Sequence, residues 1–290
     1  MAENLTFPKK NVPLHVKKQT KMESKKILFV TQAMTPYVPE DAVSRDGRKL
    51  PQALQEQGNE IRTFMPRWGI INERRNQLHE VIRLSGMNII IDDTDNPLII
   101  KVASLPSARM QVYFIDNDDY FHKRQMMVDA QGEEYGDNVC SAVFYARGVL
   151  ETVKKLRWCP DLIYCQGWMS AVAPFYIKTA YREDPPFAQT KVVFAPYGEM
   201  PDAHLTDRLR ETLAFRQADM AAVEAAGVDL TQSDALGRLA VAFSDGVIEG
   251  EQGKQSVLLD LARQMQKPVL ERPADEELAS AYQNFFASLF

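Results

Sequence analysis

The stretch 161-DLIYCQGWMSAVAP-174 reads as a buried strand that runs directly into a helix. Residues 162–165 form an apolar run of strand length, and polar residues that could carry chemistry follow it. Two other runs, 27-ILFVT-31 and 191-KVVFA-195, have the same apolar character. These three runs predict the central strands of a buried sheet.

Helical and strand-like segments alternate around these runs. A helix is predicted near 45–57, a strand at 60–66, and a core-packed helix at 138–157, where apolar residues recur at helical spacing. Further segments follow the central stretch: a helix at about 169–180, helices near 206–226, 253–266 and 275–288, and short strands at 246–250 and 268–272. Such alternation is typical of a parallel sheet covered by helices.

Residues 78–115 break the alternation. They contain short β-rich runs separated by glycine and proline, the last of which begins at Met110 and ends at Asp116, just beyond this range, and the runs predict an antiparallel insertion. The predicted fold is therefore α/β, a single doubly wound Rossmann-like parallel sheet with a small antiparallel β insertion. Ligands of such sheets bind at the carboxyl ends of the strands, here those of 27–31, 161–166 and 191–195.

The composition excludes several classes of protein. A formal net charge of -5 and a pI near 5.5 give no positive field that would attract nucleic acid or an anionic membrane. No run of 18 apolar residues occurs and the N-terminal segment lacks the apolar core of a signal peptide, so we expect a cytoplasmic protein with no membrane partner. The three cysteines and four histidines lack metal-ligand spacing, so we expect neither a metal site nor a disulfide framework.

The sequence is predicted to consist of an N-terminal tail and one domain. Residues 1–25 are rich in lysine and predict a flexible tail, whereas 26–290 predict one domain. A docking arm for an acidic partner is the alternative interpretation of the tail.

An ordered series of motifs resembles one family. ILFVTQAMTPYVP, LPQAL, YFIDNDDYF, EEYGDN, FYARGVLETVKKL and PDLIYCQGW follow one another between 27 and 195. In this order they resemble the N-terminal domain of bacterial glycogen and starch synthases, retaining glucosyltransferases that use ADP-glucose. The resemblance implies half of a two-domain GT-B glycosyltransferase. It also implies that the second domain, which supplies most of the nucleotide pocket in the family, is absent from this sequence.

The family's phosphate-binding loop is altered in this chain. The family carries a K-x-G-G-L motif whose lysine and glycine amides hold the nucleotide phosphates, and it falls on 39-PEDAV-43. Pro39 replaces the lysine, and Asp41 and Ala42 replace the paired glycines. Proline lacks an N–H group, and the acidic side chains repel a diphosphate. We therefore expect no phosphate binding at this loop.

The family's strand-end histidines are also replaced. Tyr164 and Gln166 stand at their positions, and neither side chain titrates near neutrality, so no catalytic residue is intact. Hydrogen bonding to a sugar remains open to Gln166 and Trp168, although a tryptophan at this kind of turn is often a core residue. Asp116 and Asn117 are further candidates for glucan or divalent-cation contact, with ordinary turn chemistry as the alternative.

Two hypotheses follow. The first is a degenerate, non-catalytic member of the synthase lineage that binds a glucan or regulates glucan metabolism, pairing with itself or with another protein. The second is an active glucosyltransferase that transfers glucose from ADP-glucose to α-1,4-glucan, with or without a partner chain that supplies the second domain. No cofactor is expected, and ADP-glucose is a substrate only under the second hypothesis.

Overall fold

The computed structural model describes residues 24–105, 108–205 and 208–290. Residues 1–23, which make up most of the predicted tail, lie outside this part of the chain. The strands are β1 (Lys26–Thr31), β2 (Glu60–Pro66), β3 (His79–Glu80), β4 (Met87–Ile91), β5 (Thr94–Leu105), β6 (Met110–Asp116), β7 (Leu162–Gln166), β8 (Lys191–Ala195), β9 (Gly246–Ile248) and β10 (Val269–Leu270). The α-helices are α1 (Ala42–Glu56), α2 (Asn138–Lys155), α3 (Ala173–Lys178), α4 (Leu209–Leu213), α5 (Met220–Ala225), α6 (Ala235–Ala242), α7 (Ser256–Gln264) and α8 (Leu278–Ser288).

The strands form a mostly parallel sheet in the order β10-β9-β8-β7-β1-β2-β6-β5-β3, and β4 pairs with β5. The seven strands from β10 to β6 are mutually parallel. The order β6-β2-β1-β7-β8-β9 is that of a doubly wound dinucleotide-binding fold. The predicted fold class is confirmed.

The antiparallel insertion is smaller than the sequence predicts. β3, β4 and β5 are antiparallel to their neighbours, but β6 pairs with β2 in parallel and belongs to the main sheet. The assignment of 110–116 to the insertion was therefore wrong. The apolar run fixes the presence of a strand but not its direction, and β6 pairs with β5 on one side and with β2 on the other.

The C-terminal half also departs from the prediction. The helical segment predicted at 206–226 is split into α4 and α5 by a tight antiparallel bridge between Phe215 and Ala218. Asp219 then starts α5 by accepting a hydrogen bond from the Ala222 amide. The segment predicted at 169–180 contains a single 3-10 turn and the shorter α3. Helix α6 was not predicted.

The helices cover both faces of the sheet. Successive residues of a strand point to opposite faces. Tyr164 meets the rings of Tyr282 and Phe286 from α8, whereas its neighbour Cys165 lies near Tyr145 of α2. Helices α1 and α8 therefore share one face, and α2 packs on the other.

Candidate functional site at the carboxyl edge

The carboxyl edge of the parallel sheet is the place where this fold can hold a ligand. Here we use that name for the ends of β1, β2, β6, β7, β8 and β9 and the loops that follow them. The chain leaves β1 for β2 on one side and later returns to β7 on the other. Ligands of doubly wound sheets bind at such a switch point, which here lies between Thr31 and Gln166.

Gln166 fills the switch point with a core hydrogen-bond network. Its side chain is completely buried, its Oε1 accepts from the Thr31 hydroxyl at 2.7 Å, and its Nε2 donates to the Val43 carbonyl at 3.2 Å. Both polar ends of the amide are therefore used to join β1, β7 and α1. The sequence predicts sugar contact by this residue, but its side chain has no surface in the described structure.

Helix α1 lies directly against the switch point. A Cβ atom on Gly47 would lie 2.2 Å from the Ala33 carbonyl oxygen and 3.3 Å from Gln166 Oε1. Only glycine permits this approach of the helix backbone to the strand ends. This contact packs α1 tightly against the ends of β1 and β7.

The start of α1 is occupied by a carboxylate of the chain itself. Asp41 is the N-cap, accepts from the Ser44 amide at 2.7 Å, and donates its own amide to the Ser44 hydroxyl at 2.9 Å. The first-turn N–H groups of a helix are a general anion site, and here one of them is taken by Asp41. Exposed Pro39 precedes the cap and half-buried Ala42 follows it. Neither contributes a positive charge.

Tyr164 points away from the switch point into the core beneath α8. Its hydroxyl lies 3.4 Å from that of Tyr282, and its ring packs edge-on against Phe29 at 5.2 Å. Burial, reinforced by the neighbouring Tyr197 and Tyr282, raises the pKa of Tyr164 well above its ordinary value. This side chain cannot exchange a proton near neutral pH.

Trp168 is a core residue in this structure. It is 2% exposed, its ring lies 6.3 Å from that of Trp68, and the Trp68 indole N–H donates to the Gln32 carbonyl at 2.7 Å. Gly167 allows the turn, because its φ is +77° and a Cβ there would lie 2.2 Å from Gln32 Oε1. The indole face predicted as a sugar platform is covered.

Asp116 and Asn117 lie three strands from Gln166, a separation of about 14 Å at ordinary strand spacing. Asn117 caps a helical turn at Asp118–His122 by accepting from the amides of Asp119 and Tyr120 at 2.9 and 3.1 Å. This geometry is the turn chemistry considered for the segment. Asp116 instead forms an ion pair with Lys101, whose Nζ lies 2.8 Å from Asp116 Oδ2.

Sequence reasoning missed a buried ion pair at the same edge. Arg272, after β10, donates to the carboxylate of Asp46 in α1 and to the Gly250 carbonyl. The Tyr197 hydroxyl donates to the same Asp46 carboxylate at 2.7 Å. Asp46 is 1% exposed, so the pair is a core element that ties the C-terminal segment to α1. Asp46 and Arg272 are 226 positions apart, and no local pattern marks them as partners.

Four cavities among the described residues lie away from the switch point. They have volumes of about 190, 300, 330 and 320 Å³ and are lined by residues around α8, between α1 and α8, near α4, and beside the end of α1. Gln166, Trp168, Asp116 and Asn117 line none of these four. Within 24–105, 108–205 and 208–290, no group of three or more His, Cys, Asp or Glu side chains could hold a metal ion.

No helix in the described ranges is both long and apolar enough to span a bilayer. All three cysteines, Cys140, Cys159 and Cys165, are free thiols.

The mostly parallel sheet matches the fold of a GT-B glycosyltransferase catalytic domain of the starch synthase type. The structure superposes on the catalytic domain of starch synthase IV from Arabidopsis thaliana, bound to ADP and acarbose, with a TM-score of 0.62 and 15% identity over 86% of this chain and 51% of that one. At that level of identity the match establishes the fold.

The family follows from the sequence comparison. The model of the starch synthase catalytic domain matches residues 26–247, so the chain belongs to the starch synthase catalytic domain family. It is 37% identical over 169 residues to the glycogen synthases of Chlorobium limicola and Chlorobium luteolum, and 36% identical over the same length to that of Chlorobaculum tepidum. The matched region is 58% of this chain and 35% of each relative, so the chain spans about a third of the relatives' length.

Proposed function

We propose that this chain is a non-catalytic member of the starch synthase family that acts in the cytoplasm as a glucan-binding or regulatory domain of glucan metabolism. The proposal rests mainly on the burial and the hydrogen bonds of the Gln166 side chain. The side chain that replaces a family histidine is completely buried, and both ends of its amide are bonded inside the core. A group in that position can neither reach a sugar nor accept a proton.

The start of α1 supports the same proposal. In an active relative, the resemblance implies that a lysine and glycine amides hold the phosphates of ADP-glucose at this loop. Here the Asp41 carboxylate binds the Ser44 amide, and exposed Glu40 adds a second negative charge beside it. A diphosphate would have to displace a bonded carboxylate of its own sign.

Association with a second copy or another protein is part of this proposal. Ile70, Leu205 and Val257, which come after β2, β8 and β9 in the chain, are 41%, 46% and 56% exposed. A protein contact that buried these apolar side chains would be favourable. Sedimentation of the purified protein, alone and with cell extract, tests this part: a monomer in both samples would oppose it.

A second candidate function is an active glucosyltransferase. It is favoured by one observation, that the match covers only 35% of the length of the related glycogen synthases. This candidate requires the rest of the cleft, from this protein or from a partner, and groups that replace Gln166 and Asp41.

Transfer of labelled glucose from ADP-glucose to glycogen separates the two candidates. The purified protein is assayed alone and with cell extract, and an intact glycogen synthase is the positive control. The non-catalytic proposal predicts no transfer by the protein alone. Transfer by the protein alone would contradict it, and a rise in extract activity that persists after Gln166→Leu would support a regulatory role.

A further inference from the structure

A cavity of about 190 Å³ opens at the amino edge of the sheet, the end at which the parallel strands begin. Its apolar lining comes from the first residues of β1 and β7 and from α8 and the segment after it. These lining residues are Ile27, Leu162, Phe286, Ala287 and Phe290. Ile27 precedes Thr31 by four positions, about 13 Å along β1. This amino-edge cavity therefore lies apart from the switch point.

The amino-edge cavity leads from solvent to the core. Ile27 and Leu162 are register partners at the start of β1 and β7, and both are buried. Phe286 is also buried, whereas Ala287 and Phe290 are exposed and form the rim. An apolar cavity of about 150 Å³ stays dry and binds benzene. The amino-edge cavity is therefore large enough for one six-membered ring that carries a small substituent.

Two phenylalanine rings favour an aromatic ligand over an alkyl chain. The Phe286 ring packs edge-on against Tyr282 with centroids 5.8 Å apart, and it lies 5.9 Å from the Tyr164 ring. The Phe290 ring supplies a second aromatic surface at the rim. Offset and edge-on contacts between rings contribute free energy beyond the area that they bury. A ligand ring in the cavity would extend this aromatic cluster.

Gln283 supplies the hydrogen-bond donors of the cavity. Its Oε1 accepts from Asn59 Nδ2 at 2.8 Å, and Asn59 Oδ1 in turn accepts from the Lys25 amide at 3.1 Å. These bonds fix which end of the Gln283 amide faces Asn59. The other end, Nε2, has no acceptor in the part of the chain that the structure describes. An amide nitrogen can only donate, so the cavity offers two N–H groups to a ligand that accepts.

Lys25 makes the rim of the cavity positive. Its ammonium lies 4.5 Å from the centroid of the Phe290 ring, and the other lining residues are uncharged. A positive group at the mouth of an apolar cavity favours a ligand with a negative end. A carboxylate meets both conditions, because it is anionic and can only accept hydrogen bonds, as the Gln283 amide requires.

We propose that the amino-edge cavity binds a small aromatic carboxylate, with the ring against Ile27, Leu162 and Phe286 and the carboxylate accepting from Gln283 Nε2. The ring of such a ligand is buried on the apolar floor, while its charge stays at the positive rim. The site does not depend on the proposed function, because none of its residues belongs to the carboxyl edge. Failure of either proposal therefore leaves the other intact.

The test is a titration of benzoate into the full chain, followed by methyl NMR. The signals of Ile27 and Leu162 should shift with a Kd of about 1 mM or lower, because a bound ring changes the field at both methyl groups. The signal of Leu236, which is buried in α6 and does not line the cavity, should not move. Benzyl alcohol has the same ring without the charge and should bind about 10-fold more weakly.

Gln283→Glu tests the carboxylate position without removing the acceptor that Asn59 uses. The variant replaces two donors by a negative charge, so benzoate affinity should fall about 10-fold or more and benzyl alcohol affinity should stay within about 2-fold. The matched control is Asn284→Asp, which introduces the same charge at the next position, where the side chain is exposed and does not line the cavity. Its affinity for benzoate should stay within about 2-fold of that of the unchanged protein.

Three results would overturn the proposal. Unmoved signals of Ile27 and Leu162 at about 10 mM benzoate would mean that the cavity does not take this ligand, whether or not another part of the chain or a second copy fills it. Equal affinities for benzoate and benzyl alcohol would exclude a site for a carboxylate. Equal losses in Gln283→Glu and Asn284→Asp would mean that charge on α8 acts at a distance and that Gln283 does not contact the ligand.

Discussion

Replacing Gln166 by leucine tests how much the hydrogen bonds of this side chain at the switch point contribute to the free energy of unfolding. The substitution removes the bonds to Thr31 at 2.7 Å and to the Val43 carbonyl at 3.2 Å, each contributing about 1 kcal/mol. The partners retain other bonds, because Thr31 can donate to the Ala33 carbonyl at 3.0 Å and the Val43 carbonyl accepts the helical N–H four residues on. No large penalty for an unpaired group is added, and the free energy of unfolding should fall by about 2 kcal/mol.

Urea unfolding of Gln166→Leu and the unchanged protein, followed by circular dichroism, gives this difference. The control is Gln131→Leu, because Gln131 is exposed and its substitution should change stability by no more than about 0.5 kcal/mol. If Gln166→Leu behaved like this control, the amide would not be held by the core. The Gln166 amide would then be free to bind a ligand, and the conclusion that the core holds this side chain would be wrong.

Three further predictions concern charged groups around the same edge. Asp41→Ala removes the N-cap of α1 and should lower the free energy of unfolding by about 1 kcal/mol in urea unfolding; no change would mean that the cap contributes nothing. Asp46→Ala leaves the Arg272 guanidinium with exposed Asp275, at 3.3 Å, as its remaining carboxylate and should lower the free energy of unfolding by about 3 kcal/mol, so a fall in melting temperature of only one or two degrees would contradict a buried pair. Burial opposes the charge on Glu73, but its bonds to a lysine and an arginine lower its pKa, so this group stabilises the fold above about pH 4.5 and loses that effect as the pH falls. Glu73→Gln should therefore reduce the loss of stability below pH 4.5, measured by melting at a series of pH values, and an unchanged acid profile would refute this.

The central strands could be predicted because a strand that is buried on both faces appears in the sequence as a continuous apolar run. The runs 27–31 and 191–195 are continuous and apolar, and both became parallel strands of the core. The direction of β6 relative to its neighbours could not be predicted, because an apolar run does not indicate which strands will pair with it. Helix α6 has eight residues, too few for its periodicity to stand out.

The site could be predicted only as far as local residue types allow. The acidic character of the loop at Asp41 and the lack of a side chain that ordinarily titrates near neutral pH at positions 164 and 166 are visible in the sequence. The bonds that these residues make are not visible, because each depends on an element brought from elsewhere. Gln166 meets Thr31 across 135 positions, and Arg272 meets Asp46 across 226.

The most direct test of a closed carboxyl edge is amide hydrogen exchange with and without millimolar ADP-glucose. The exchange of residues 31–47 and 162–168, which contain the switch point and the start of α1, is followed by mass spectrometry. Because the proposed function has Gln166 bonded inside the core and the Asp41 carboxylate bonded to the Ser44 amide, we expect no change in either segment. Protection of these segments by ADP-glucose would show that the edge opens to the nucleotide sugar, and would contradict the account.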